Sequence, residues 1–138
     1  MFAVWKELCN FAALISSMGE YLIISSASDL VRIKGKDIVF ISSDGNYSTI
    51  VLTNNETRLI TMQLGQIEQL ITKQLQPSDK TFIRIGKSLI INHDYIYYIN
   101  IPKQQLILSD GKYAMHSVSA SREALKQVKD LIEKEAKS

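Results

Sequence analysis

The feature that most constrains the fold is a succession of short segments rich in β-branched and aromatic residues, each bounded by turn-forming residues. Asp44-Gly45 separates two of these segments, and Asp110-Gly111 separates another two. The Asp-Gly pair favours a tight hairpin, because glycine accepts the positive φ that such a turn requires. The sequence therefore predicts antiparallel strand pairs in the segments EYLIISS, DLVRI, DIVFISS, YSTIVLT, TRLITM, FIRI, SLIIN, YIYYINI, QLILS and KYAMHSV.

The hydrophobic period changes from strand to helix spacing in two places. The first lies between Gln63 and Leu75, where Thr61 is expected to cap the start of a helix. A second helix is expected to follow Ser119 or Ser121. Its apolar side would consist of Leu125, Val128, Leu131 and Ile132. The sequence thus predicts a mainly-β fold with two amphipathic helices.

Composition narrows the class of protein. The 138 residues are enough for one domain with a hydrophobic core and too few for two ordinary domains. The net charge of +2 permits nucleic-acid binding if the positive charge is gathered on one face. A single cysteine, Cys9, excludes an internal disulfide, and no Cys or His residues stand at zinc-binding spacing. We therefore expect neither a metal nor another cofactor.

The N-terminal region is apolar but interrupted. Residues 1–18 are expected to form an extension or a short helix, and residues 19–138 are expected to form the domain. Asn10 and Glu20 break the apolar run, which is shorter than the about 20 residues that a membrane-spanning helix needs. With little sign of a secretory signal, we expect a cytoplasmic protein.

The triplet Gly86-Lys87-Ser88 matches the end of a nucleotide-binding P-loop, but its context does not. A P-loop needs a second glycine five residues upstream, where this chain has Thr81, and it needs a helix to follow. The segment after the triplet has a strand pattern. No serine lies in a Gly-x-Ser-x-Gly motif either, so we expect no enzymatic activity and no small-molecule substrate.

The remaining candidates are polar and basic residues at predicted strand ends and loops, and their order resembles a known family. The blocks DIVFISSDGNYSTIVLT, FIRIGKSLIIN, LILSDG and SASREAL are similar to successive blocks of the LytTR DNA-binding domain. The resemblance extends from Tyr21 to Ile132. Three positions depart from it: Gly86 replaces a usual histidine, Leu89 a frequent aromatic residue, and Ser42 a frequent glutamate.

The resemblance implies an elongated antiparallel β domain that binds double-stranded DNA through loops and reads the major groove. By position, the base-reading residues would be Tyr47, Lys87 and Arg122. The residues that contact phosphates or support the loops would be Asn46, Ser48, Arg84, Ser88 and Ser121. Two copies on adjacent direct repeats, and a regulatory partner protein, are further expectations.

Two functional classes therefore stay open from the sequence. The first is a bacterial transcription regulator that binds a specific duplex. The alternative is a non-DNA interaction module that dimerises with other regulators or inhibits them, docked through its N-terminal segment to a partner or membrane. Selection of DNA sites from random duplexes would separate the two classes.

Overall fold

The computed structural model describes residues 20–75, 81–112 and 115–137. The predicted N-terminal extension lies outside these residues, so the boundary after residue 18 stays a prediction. Within the described chain the fold is mainly β, as expected. The strands are β1 (Tyr21–Ser25), β2 (Leu30–Lys34), β3 (Ile38–Asp44), β4 (Tyr47–Leu52), β5 (Thr57–Ile60), β6 (Phe82–Ile85), β7 (Leu89–Asn92), β8 (Ile96–Asn100), β9 (Gln105–Ser109) and β10 (Met115–Ser119). The helices are α1 (Leu64–Gln74) and α2 (Arg122–Lys137).

The described strands form three antiparallel sheets. A five-stranded sheet has the order β5-β4-β3-β7-β6, a three-stranded sheet has the order β10-β9-β8, and β1 pairs with β2. The long-range pairing of β3 with β7 aligns Phe40 with Ile91 and Ile41 with Ile90. Because neighbouring residues of a strand point to opposite faces, these two pairs supply the two faces of the five-stranded sheet.

Each face of the five-stranded sheet is covered by a different layer. On one face, Ile41 and Ile90 belong to a core that also contains Leu22 of β1 and Ile67 of α1. On the other face, Ile91 belongs to a second core with Leu106, Leu108, Leu125 and Val128. The five-stranded sheet is therefore the central layer, with α1 and the β1–β2 hairpin on one side and the three-stranded sheet with α2 on the other.

The helix ends differ in part from the expectation. Thr61 was the wrong cap for α1, because the helix starts three residues later, with Gln63 as its N-cap. The Gln66 side chain accepts a hydrogen bond from the Gln63 N–H at 3.0 Å, which closes the first turn. For α2, the Ser121 hydroxyl accepts from the Ala124 N–H at 3.2 Å. Leu131 is 47% exposed, so the apolar side of α2 is narrower than predicted.

Candidate functional site

Two hairpin turns lie side by side at one end of the five-stranded sheet. Strand β3 ends at Asp44, which pairs with Tyr47 across the first turn. Strand β7 begins beside the same end of β3, with Leu89 opposite Ser42. The Ser43 N–H donates to the Ser88 carbonyl at 2.8 Å and joins the two turns directly. Residues 45–47 and 86–88 therefore form one surface, here called the turn surface.

The first turn presents an aromatic residue and an amide. Gly45 has φ +71°, and its position as the first of two turn residues gives the tight hairpin that the Asp-Gly pair predicts. Tyr47 is 50% exposed at the start of β4. Asn46 is also exposed, and its side-chain oxygen accepts from the Gln63 amide at 3.5 Å. The start of α1 is thereby tied to the turn surface.

Ser48 has an internal role. Its side chain is 1% exposed, and its hydroxyl donates to the Met62 carbonyl at 2.8 Å. A hydroxyl in that position cannot reach a ligand on the surface without breaking this bond. Of the two roles expected for Ser48, contact with a phosphate or support of the loop, the geometry matches support.

The second turn is held from below by Arg84. The guanidinium donates from Nε to the Gly86 carbonyl at 3.2 Å and from Nη2 to the Lys87 carbonyl at 3.3 Å. Its third group, Nη1, lies 3.1 Å from Oε1 of Glu68 on α1. The side chain is 31% exposed. Arg84 thus fixes the turn backbone and links it to the helix.

All three residues of this turn are exposed, and Lys87 and Ser88 are the two that carry polar side chains. Within the described parts of the chain, no hydrogen bond or ion pair involves the Lys87 ammonium, so its charge is available to an incoming anion. Gly86 has φ +62°, and a Cβ there would meet no atom within 4 Å. The turn therefore has open space above it. Because it joins two antiparallel strands and no helix follows, the triplet is not a P-loop.

Ser121 and Arg122 form a second exposed group, at the start of α2. Arg122 Nη2 donates to the carbonyl of Pro102, which lies in the turn between β8 and β9, at 3.5 Å. Within the described chain, no hydrogen bond or ion pair joins the Arg122 side chain to the turn surface. The structure thus brings together the predicted residues of the two hairpins and places the pair from α2 on a separate element.

Sequence reasoning missed two side chains that complete the site, one at the N-cap of α1 and one within the helix. Gln63 contacts Asn46, and Glu68 pairs with Arg84, which is 16 residues away in sequence. No local signal marks either residue, because a polar side chain on an amphipathic helix is ordinarily a solvated one. Only the packing of α1 on the sheet reveals their partners.

The described residues show neither a metal site nor a membrane-spanning helix. No group of three or more His, Cys, Asp and Glu side chains among them could hold a metal ion. Neither α1 nor α2 is long and apolar enough to cross a membrane.

Comparisons with known proteins agree with the fold and with the resemblance of the sequence. The family model described as the LytTr DNA-binding domain matches residues 28–133. Among solved structures, the chain is similar to the LytTr DNA-binding domain of a protein described as a methyl-accepting/DNA response regulator from Bacillus cereus. That match has a TM-score of 0.55 at 17% identity and covers 82% of this chain and 96% of the other. No curated protein matches the chain.

Proposed function

Because the chain belongs to the LytTr DNA-binding domain family, we propose that it is a transcription regulator that binds specific duplex DNA and reads the major groove. The observation that carries the proposal is the Lys87 turn. An exposed lysine without a partner in the described chain stands on a backbone that Arg84 holds in place. A charge presented in this way suits a polyanionic ligand and has no evident use in folding.

The residue types on the two exposed groups suit duplex recognition. Lys87 can donate to guanine O6 and N7, and Arg122 can donate to the same pair of acceptors in a bidentate manner. The Tyr47 hydroxyl and the exposed Ser88 hydroxyl can bond base edges or phosphate oxygens. If lysine and arginine side chains neutralise about four to six phosphates in the complex, log K would fall against log salt with a slope of ~−3.5 to −5.5.

Arg122 stands where local helix physics disfavours it. It is the first residue of α2, and the N-terminal end of a helix carries a partial positive charge that repels cations. Among the described residues, its side chain makes a single hydrogen bond, to the Pro102 carbonyl, and this bond is long at 3.5 Å. An arginine at this unfavourable helix position is better explained by contact with a ligand than by a contribution to the stability of the fold.

The proposed roles divide between contact and support. Tyr47, Lys87 and Arg122 would read bases, and Asn46 and Ser88 would contact phosphates. The remaining predicted residues would support these contacts from behind: Arg84 through the turn carbonyls, Ser48 through the Met62 carbonyl, and Ser121 as the cap of α2.

Selection from random duplexes tests the function. We expect enrichment of a defined motif by the full chain. Absence of a motif, with another protein co-purifying from the native cell extract, would instead support the interaction module.

Two substitutions then test the site. Lys87→Ala and Arg122→Ala should each weaken binding to the selected duplex by about 5- to 100-fold, the value of one good base contact. Lys134→Ala is the matched control, because it also removes one charge but lies about 18 Å along α2 from Arg122. If both site variants bind like the wild type, the site assignment is wrong.

A further inference from the structure

Within the part of the chain that the structure describes, the outer edge of β10 has no protecting element. Among these residues, β10 pairs with β9 alone, on one side. Its five residues, Met115–Ser119, include no Lys, Arg, Asp, Glu or Pro, and its register with β9 is regular. A flat strand edge without charge, proline or bulge is a template for pairing with another strand.

Backbone geometry identifies which groups of β10 face outward. The Ala120 N–H donates to the Gln104 backbone carbonyl at 3.3 Å, and the Ala120 carbonyl accepts from Nε2 of the Gln104 side chain at 3.4 Å. Both backbone groups of Ala120 therefore point toward β9. Because these groups alternate in direction along a strand, those of Met115, Ser117 and Ser119 point away from β9.

The other sheet edges among the described residues carry protective features. Strand β5 has Arg58 and only four residues, and β2 has Arg32 and Lys34. Strand β8 has an irregular register between Ile96 and Tyr98. The edge of β1 is covered, because the Gln74 amide both donates to and accepts from the backbone of Ile23. Strand β6 carries Arg84.

We propose that a second copy of this chain pairs with β10 along this edge, in an antiparallel register centred on Ser117. Each Ser117 would face the Ser117 of the second copy, and each Met115 would face Ser119. The three outward residues of each strand would donate and accept once, closing about six backbone hydrogen bonds. The second copy is the occupant because antiparallel pairing matches each outward donor of β10 with an acceptor of the same strand in the other copy, and no charged side chain of β10 opposes that pairing.

The face around the edge supports this pairing. Met115 is 61% exposed and Tyr98 is 44% exposed. In the register of the three-stranded sheet, Tyr98 and Ser117 both align with Ile107, so they share its outer face. Pairing two copies would extend the row from Tyr98 through Ile107 and Ser117 into the same row of the second copy.

The dimer should be weak. A single pairing of five-residue strands buries less than the ~1,200 Å² of a standard stable interface. We therefore expect a Kd between about 1 µM and 1 mM, with dimers enriched when two copies are held close on one DNA.

The symmetry of the dimer predicts how the two DNA half-sites are arranged, and this prediction rests on the proposed function. Antiparallel pairing of identical strands is two-fold symmetric, so the two turn surfaces would face inverted half-sites. This differs from the direct repeats that the family resemblance implies. The tests of self-association below do not involve DNA, so their outcome is independent of whether the chain reads DNA.

The test uses opposite charges at the symmetry axis. Ser117 is exposed, so Ser117→Lys and Ser117→Glu should leave thermal unfolding nearly unchanged. Either variant alone places like charges opposite each other, and its dimerisation in sedimentation velocity should weaken by about two- to fivefold. An equal mixture should recover dimers of one copy each. Three results would overturn the proposal. The wild-type chain could stay monomeric up to about 1 mM, each variant could dimerise like the wild type, or the equal mixture of variants could stay monomeric.

Hydrogen exchange of the wild type gives a second test that needs no variant. The amides of Met115, Ser117 and Ser119 should become protected as concentration rises, whereas those of His116 and Val118 should stay protected throughout. Protection of the outward amides at every concentration, lost on deletion of residues 1–18, would assign the edge to the N-terminal segment and overturn the dimer.

Discussion

Replacement of Arg84 by lysine separates support of the turn from contact with DNA. The substitution keeps the positive charge but replaces a planar fork with a single nitrogen. Arg84 now reaches the Gly86 carbonyl, the Lys87 carbonyl and Glu68 at 3.2, 3.3 and 3.1 Å from three different nitrogens. A lysine can keep the ion pair with Glu68 or one carbonyl, but it cannot hold all three acceptors.

The magnitude follows from the two carbonyl bonds. Each contributes about 1 kcal/mol, within the usual range for a hydrogen bond in a folded protein. The ion pair with Glu68 is exposed on both sides, so its loss or retention changes the free energy by less than about 1 kcal/mol. A turn without these hydrogen bonds must be ordered when DNA binds. The free energy of ordering it, about 1–2 kcal/mol, is then subtracted from the binding free energy, so binding should weaken by about 5- to 30-fold.

The assay is affinity for the selected duplex across a salt series. Arg84→Lys should lower the affinity equally at every salt concentration, because the number of charges is unchanged and the slope against log salt depends on charge. Arg58→Lys is the matched control, since the Arg58 side chain makes no hydrogen bond or ion pair within the described chain. It should leave both affinity and slope unchanged.

The opposite result would assign Arg84 to a different role. Lysine binds phosphate well as a point charge, so a phosphate contact would survive the substitution. Wild-type affinity for Arg84→Lys, combined with a slope about 0.9 shallower for Arg84→Gln, would show that Arg84 contacts the backbone of DNA. The positioning role would then be refuted.

Three further predictions concern stability. Asn92 is fully buried, and its side chain donates to the Ile38 carbonyl at 2.9 Å. Asn92→Asp should therefore lower the unfolding free energy, measured in urea titrations, by at least about 2 kcal/mol at pH 7 and by less near pH 4, where a protonated carboxyl can donate. An equal loss at both pH values would contradict this. Burial first, and nearby carboxylates second, raise the pKa of Tyr95, whose hydroxyl donates to the Lys36 carbonyl. Its contribution is therefore intact below pH ~10 and decreases as pH rises above that value, a decrease that Tyr95→Phe should abolish in pH-dependent unfolding. At Gly86, alanine should cost about 1 kcal/mol in urea unfolding because of the positive φ. Asparagine should cost less, since it adopts a positive φ more readily and space is not limiting for either residue. Equal costs would contradict the role of φ.

The sequence alone determined the local elements. The segments FIRI and QLILS are β6 and β9 without a shift, and glycine has a positive φ in both Asp-Gly turns. The family resemblance also held, because it rests on the order of such elements. These features are predictable because hairpin turns and the hydrophobic periods depend on residues within a few positions of one another.

The tertiary structure decided how those elements meet and what each polar side chain does. Nothing near Ser48 in sequence indicates that its hydroxyl is buried on Met62, and nothing near Arg84 indicates that its charge is paired with Glu68. The end of one hairpin meets the next because β3 pairs with β7 across about fifty residues. The reason is physical: a local pattern specifies turn type and period, but burial and pairing depend on distant chain that only the packed fold brings close.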